Sequence, residues 1–127
     1  MTALAFSPQE VIGSQKLAAS VNTNPVVVRR LLLALRRARL IETFTGKHGG
    51  ARLRKKPNHI SLVDIYDAVE SRRVIPVNER KALKQCHVSC NMKSIMGSVA
   101  ESTERAVRQH LRVITLAQLV RKVHPRR

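Results

Sequence analysis

The chain has 127 residues, 43% of them hydrophobic, enough for one domain, or a small domain with an extension, built on an aliphatic core. Its only aromatics are Phe6, Phe44 and Tyr66, which argues against a protein that stacks single-stranded RNA bases on exposed rings. Twenty-four Lys and Arg against eight Asp and Glu give a net charge of +16, which points to a polyanion, nucleic acid ahead of a membrane surface.

The predicted elements follow in chain order. Met1 to Phe6 is apolar and stops at Ser7-Pro8, the pattern of the last turn of a longer helix. Ser14 is positioned to cap a short helix, Gln15 to Val21, with Leu17, Ala18 and Val21 on one face. Asn22-Thr23 makes a turn, with Asn22 suited to a left-handed backbone. Asn24-Pro25 is a helix start, because the Asn side chain can accept from a free backbone N–H and Pro fits the first helical position. The helix is predicted to run to Arg39. At about 100° per residue, Val28, Leu31, Leu32, Leu35 and Ala38 share one face. Val26, Arg29, Arg30, Leu33, Arg36 and Arg37 lie opposite. A small residue at Ala18, where the second helix crosses, completes a helix-turn-helix pattern.

Two strand-like pieces, Ile41 to Thr45 and Ala51 to Arg54, flank Gly46, Gly49 and Gly50, a hairpin with Lys47 and His48 at its tip. A hairpin directly after a helix-turn-helix is a wing. Pro57-Asn58 breaks the chain, and Ser61 with Asp64 forms a capping box for a helix whose Leu62, Ile65 and Val69 face the core. Arg72 to Gln85 is polar and irregular. From Met92 a long helix is predicted, with Met92, Met96, Val99, Thr103, Ala106, His110 and Val113 spaced by four and three, a coiled-coil seam. Ile95, Val107, Leu111 and Ile114 widen that stripe, and His110 reads as a polar register-setter within it. Thr115 caps a last helix, Leu116 to Val123, before the basic tail HPRR. The organisation predicted is a DNA-binding domain at 1–71, a loop with two cysteines at 72–91 and a dimerisation helix with a terminal helix at 92–127. The fold class is mainly α with a small β-hairpin wing: a winged helix-turn-helix plus a long C-terminal dimerisation helix.

The stretches LAASVNTNPVVVRRLLLALRRARLIET, GKHGGARL and ISLVDIYDAVE together resemble the IscR-like (Rrf-type) bacterial transcription regulators, in particular the YwnA-type branch, and the likeness extends through the C-terminal ITLAQLV. The resemblance implies a homodimer on partly palindromic operators, with DNA contacts from the start of the second motif helix and from the wing. Carried to this sequence, those contacts are Asn24, Val26, Val27, Arg29 and Arg30, with Lys47 and His48 at the wing tip. Arg36 and Arg37 add phosphate contacts by charge and position. Three departures stand out: the full first helix is reduced to MTALAF, Thr45 occupies a wing position where many members carry Arg, and the two cysteines compare with three in cluster-binding members.

Cys86 and Cys90, in QCHVSC, are too few for a disulfide scaffold. An iron–sulfur cluster wants four protein ligands, and two thiols with His87 fall short, as they do for zinc without another His. No cofactor is therefore expected. A thiol sensor is the functional reading, since His87, Lys84 and Lys93 would favour a thiolate; two inert thiols are the plain alternative. No Walker loop, dinucleotide fingerprint, HExxH motif or paired carboxylates on one face appear, so the chain does not read as an enzyme. No apolar run is long enough to span a membrane and no signal peptide is visible, so a cytoplasmic protein is expected.

The expectation is a sequence-specific regulator of double-stranded DNA, a homodimer acting as a repressor. The alternatives are a non-specific DNA- or RNA-binding protein, and a truncated paralogue that acts only as a dimerisation partner.

Overall fold

The structure, a computed structural model, describes residues 1–70, 72–77 and 80–123. The backbone divides into two units: Met1–Glu70 together with the segment from Arg112 onward, and residues 71–111 between them. The first unit holds α1 (Thr2–Phe6), α2 (Ser14–Ser20), α3 (Pro25–Arg37), β1 (Ile41–Phe44), β2 (Gly50–Leu53), a 3₁₀ turn at Pro57–His59 and α4 (Leu62–Val69). After α5 (His87–Arg112) the chain adds α6 (Leu116–Val123).

Both helices of the helix-turn-helix end in the same way. At the end of α2, Thr23 N donates to Ala18 O at 2.9 Å and Asn22 N to Ala19 O at 3.3 Å, with Asn22 at φ 51°. At the end of α3, Leu40 N donates to Leu35 O at 3.1 Å and Arg39 N to Arg36 O at 2.9 Å, with Arg39 at φ 60°. These are Schellman closures, which satisfy the last carbonyls by turning one residue left-handed. Leu35 and Leu40 are both buried, the apolar contact that usually accompanies the motif. The turn stops α3 at Arg37, two residues earlier than predicted. Arginine carries a steric penalty at a left-handed position that glycine avoids. Arg39→Gly is therefore expected to raise stability by about 0.5–1 kcal/mol in denaturant melts, once glycine's greater unfolded-state freedom is subtracted.

The start of α3 is as predicted: Asn24 Oδ1 accepts from Val26 N at 2.8 Å and Pro25 follows as the first helical residue. The start of α2 is not. Gly13 is the N-cap, and Ser14 is already helical and makes no cap bond. Ile12 explains why. Its N donates to Ala51 O at 3.0 Å and its O accepts from Ala51 N at 2.9 Å, so the chain leaves a β-bridge only at Gly13.

In the wing, Ile41, Glu42, Thr43 and Phe44 pair antiparallel with Leu53, Arg52, Ala51 and Gly50. Each strand begins or ends one residue before the predicted limit. A Cβ at Gly50 would overlap the carbonyl of Ile12, so glycine is needed there for the close approach of the Ile12 segment.

The core joins Leu4, Leu17, Ala18, Val28, Leu35, Ile41, Ala51, Leu53, Ile60 and Leu116, with Leu32 and Ile65 packed against it. Several expected core positions lie outside. Val21 is 64% exposed because it is the α2 C-cap and its backbone has left the helical path. Ala38 is exposed for the same reason at the end of α3. Leu31 is 43% exposed, on the flank of a buried arc centred on Val28, Leu32 and Leu35. In α4, Val63 takes the buried place and Val69, the last helical residue, is exposed. The Ser61–Asp64 capping box forms as predicted.

The terminal helix does not group with the long one. Leu62 N donates to Ile114 O at 2.9 Å and Leu116 N to Ile60 O at 2.8 Å, a bridge that returns the chain to the N-terminal unit. There α6 packs on α1 and on the 3₁₀ turn. Thr115 caps it as predicted, accepting from Gln118 N at 3.4 Å, and Gln118 Oε1 accepts from Thr115 N at 3.3 Å.

In the second unit α5 begins at His87 rather than Met92, which puts Cys90 on the helix instead of in a loop. The early start has local causes: Cys90 N donates to Cys86 O at 2.9 Å, and Ser89 Oγ accepts from Leu83 N at 2.9 Å. On the predicted seam Met92 and Val99 are exposed, as is Ile95 beside them, and Ala100 is buried. Val113, the last seam position, falls beyond the helix end. The basic tail at 124–127 lies outside the described residues. Among the described residues no helix is long and apolar enough to cross a membrane.

Candidate nucleic-acid interface

The exposed side of α3 follows from its geometry. With Val28 and Leu35 directed inward, Val26, Arg30, Leu33 and Arg37 fall opposite them, within an arc of about 60°. They form a ridge in which aliphatic and cationic residues alternate. Arg30 and Arg37 are exposed and make no hydrogen bond or ion pair among the described residues.

Arg29 and Arg36 lie on the wing-side flank and have partners. Arg29 Nε donates to Ser14 Oγ and Arg36 Nη1 to Thr43 Oγ1, each at 3.4 Å. The first tethers α3 to the start of α2, the second to β1. Both contacts are long and exposed, so each holds the guanidinium loosely and leaves it free to exchange partners.

Between α3, the start of α2 and the wing runs an open groove of about 500 Å³. Arg29, Arg36 and Lys47 line it from three elements, together with Ser14, Gln15 and Leu33. Three cations and no carboxylate face this space. The structure therefore brings Arg29, Arg36 and Lys47 together and sets Arg30, Arg37, Val26 and Val27 outside the groove on the exposed surface of α3. His48 is exposed in the wing turn and does not line the groove. Asn24 is exposed, with its side-chain oxygen occupied as the helix cap.

A second basic cluster escaped the sequence reading. Arg52, Arg54, Lys55 and Lys56 line another cleft with Glu42, Pro8 and Pro57. Arg52 is held by Glu42, whose Oε1 accepts from Nε at 3.0 Å and from Nη2 at 2.6 Å, and lies over the Phe44 ring at 5.2 Å. Arg54, Lys55 and Lys56 form no ion pair among the described residues. The charge run RLRKKP was the signal available for them.

Cys86 and Cys90 belong to the second unit and are exposed free thiols. Cys90 Sγ donates to Leu83 O at 3.2 Å, and Cys86 Sγ accepts from Ser89 N at 3.5 Å. Among the described residues no three His, Cys, Asp or Glu side chains converge as a metal site. Two thiols supply half of the four protein ligands that an iron–sulfur cluster takes.

A helix-turn-helix followed at once by a two-stranded wing, with cations on the second helix and at the wing tip, defines a winged helix-turn-helix protein of the transcription-regulator class. The chain belongs to the Rrf2 family, described as iron-dependent transcriptional regulators, which it matches over residues 1–122. It is 34% identical over 106 residues to YwnA of Bacillus subtilis (strain 168), assigned by name to the HTH-type transcriptional regulators, covering 84% of this chain and 79% of YwnA. Its fold is similar to that of a protein from Lactobacillus plantarum assigned to the transcriptional regulators, with TM-score 0.78, 22% identity and coverage of 97% and 91% of the two chains. It is also similar to CymR (YrzC), the global cysteine regulator of B. subtilis, with TM-score 0.65, 21% identity and coverage of 95% and 87%.

Proposed function

We propose that this Rrf2-family regulator binds double-stranded DNA sequence-specifically as a homodimer and acts as a repressor on a partly palindromic operator. The observation that carries the reading is the groove in which Arg29, Arg36 and Lys47 converge without a carboxylate, beside the outward Arg30 and Arg37. In this reading α3 enters a major groove and the wing tip, Lys47 and His48, an adjacent minor groove. Arg30 reads a base edge, while Arg29, Arg36 and Arg37 grip phosphates. A hairpin in a minor groove has a phosphate strand on either side, so Arg54, Lys55 and Lys56 add to the grip from the other face.

The exposed stripe Met92, Ile95 and Val99 on α5 supports pairing of two chains. The dimer carries +32, twice the +16 of one chain, before bound ions. Its half-sites lie about 34–36 Å apart, one helical turn, or a multiple of that. The thiols of Cys86 and Cys90 supply a redox response without a resident cofactor, by modification at exposed positions beside His87.

The test is to mix purified chain with fragmented genomic DNA, with and without a thiol oxidant, and to measure its mass by light scattering. A two-chain mass and a small set of retained fragments are expected, with retention changed by oxidant. Equal retention of all fragments would indicate non-specific binding, and a dimer retaining none would indicate a partner that pairs without holding DNA.

A further inference from the structure

Val26 and Val27 have an unusual setting. They are the second and third residues of α3, 56% and 44% exposed, and follow the Asn24 cap directly. Arg30 lies one turn beyond Val26 on the same ridge. Neither valine belongs to the core or lines the groove that Arg29 and Lys47 share. Two branched aliphatic side chains thus stand in water at the end of a helix that carries four arginines.

Their chemistry limits what they can recognise. A valine has no hydrogen-bonding group, so it cannot read a donor or acceptor pattern. Its branching fixes χ1 in a helix, so its methyl groups are presented in one orientation. The base edges of a major groove offer one aliphatic group, the C5 methyl of thymine. The residues that meet base edges in a helix-turn-helix are those at the beginning of the second helix, where these valines sit.

We infer that Val26 and Val27 read thymine methyl groups, so that each preferred half-site carries thymine at the positions facing the first turn of α3, next to the base pair facing Arg30. This rests on the sequence-specific reading above and adds the chemical group recognised. The valines set specificity at those base pairs, whereas the arginines supply most of the attraction.

The experiment uses the full chain. A preferred duplex is first selected from a randomised pool, then each thymine is replaced in turn by deoxyuridine, which removes the methyl and keeps the base-pairing and groove hydrogen-bond pattern. Affinity is expected to fall about fourfold per contacted methyl, the scale for burying one aliphatic carbon, at one or two positions per half-site and to stay unchanged at the others. In the double variant V26A/V27A the uracil penalty disappears while the preference at the base pair facing Arg30 persists. V26T/V27T keeps the branched shape and one methyl group on each side chain, and should keep part of the penalty; both pairs are exposed, and unchanged melting curves would confirm that the fold is intact. Tolerance of uracil at every position, or an undiminished penalty in V26A/V27A, would overturn the inference and leave the DNA-binding reading standing. A pool that yields no enriched sequence would overturn both.

Discussion

Arg30→Ala is expected to weaken binding to the preferred duplex by about 1–3 kcal/mol, roughly fivefold to 150-fold, and to change binding to random duplex little. The reason lies in the division among the arginines of α3. Arg29 and Arg36 are turned toward the wing side and bonded to Ser14 and Thr43. Arg30 sits one turn from the helix start, on the outward ridge, with no partner among the described residues. A guanidinium there can grip the O6 and N7 of guanine with two parallel hydrogen bonds. Removing it costs discrimination at one base pair. Arg37→Ala, two turns further along, should instead weaken all sequences alike and lower the salt dependence by about one phosphate contact. Equal losses on both duplexes for Arg30→Ala would make it a phosphate contact.

The second large effect is on stability. Leu116→Ala is expected to cost about 2–5 kcal/mol, the range for emptying a fully buried leucine site. Leu116 is 0% exposed and lies in the same cluster as Leu4, Ile60 and Ile41, beside the bridge from its own backbone N to Ile60 O. The substitution leaves that backbone bridge in place but opens a cavity where α6 meets the N-terminal unit. A unit of this size moves by several degrees per kcal/mol, so the melting midpoint should drop by about 10 °C or more. A loss under about 1 kcal/mol would mean that α6 is peripheral to the core.

The two effects divide what was legible in the sequence from what was not. Local signals with a single physical meaning read through to the structure: Asn24-Pro25 as a helix start, Asn22 as a left-handed turn, the glycines of the wing, and the boxes at Ser61 and Thr115. Signals that depend on distant partners did not. Periodicity placed Leu31 and Leu35 on one face, yet only the neighbours of α3 decide how wide its buried arc is. The capping role expected of Ser14 was displaced by the Ile12–Ala51 bridge, a contact across nearly forty residues. The return of α6 to α1 after a long excursion left no local mark. At the interface, composition identified the cations of α3 but could not separate Arg29 and Arg36 from Arg30 and Arg37, because that separation comes from where α2 and β1 approach the helix. Arg54, Lys55 and Lys56 were visible as a charge run but meaningless until the fold gathered them beside one cleft with Arg52.

Whether the outward ridge of α3 beside the wing reads one DNA sequence is decided by a competition titration of the full chain. A selected duplex and a scrambled duplex of equal length and composition compete at about 0.15 M salt, where charges are screened beyond roughly 8 Å. A preference of about a thousandfold or more for the selected duplex is expected, collapsing toward unity when Arg30, Val26 and Val27 are replaced together. Equal affinity of the unmodified chain for both duplexes would contradict it.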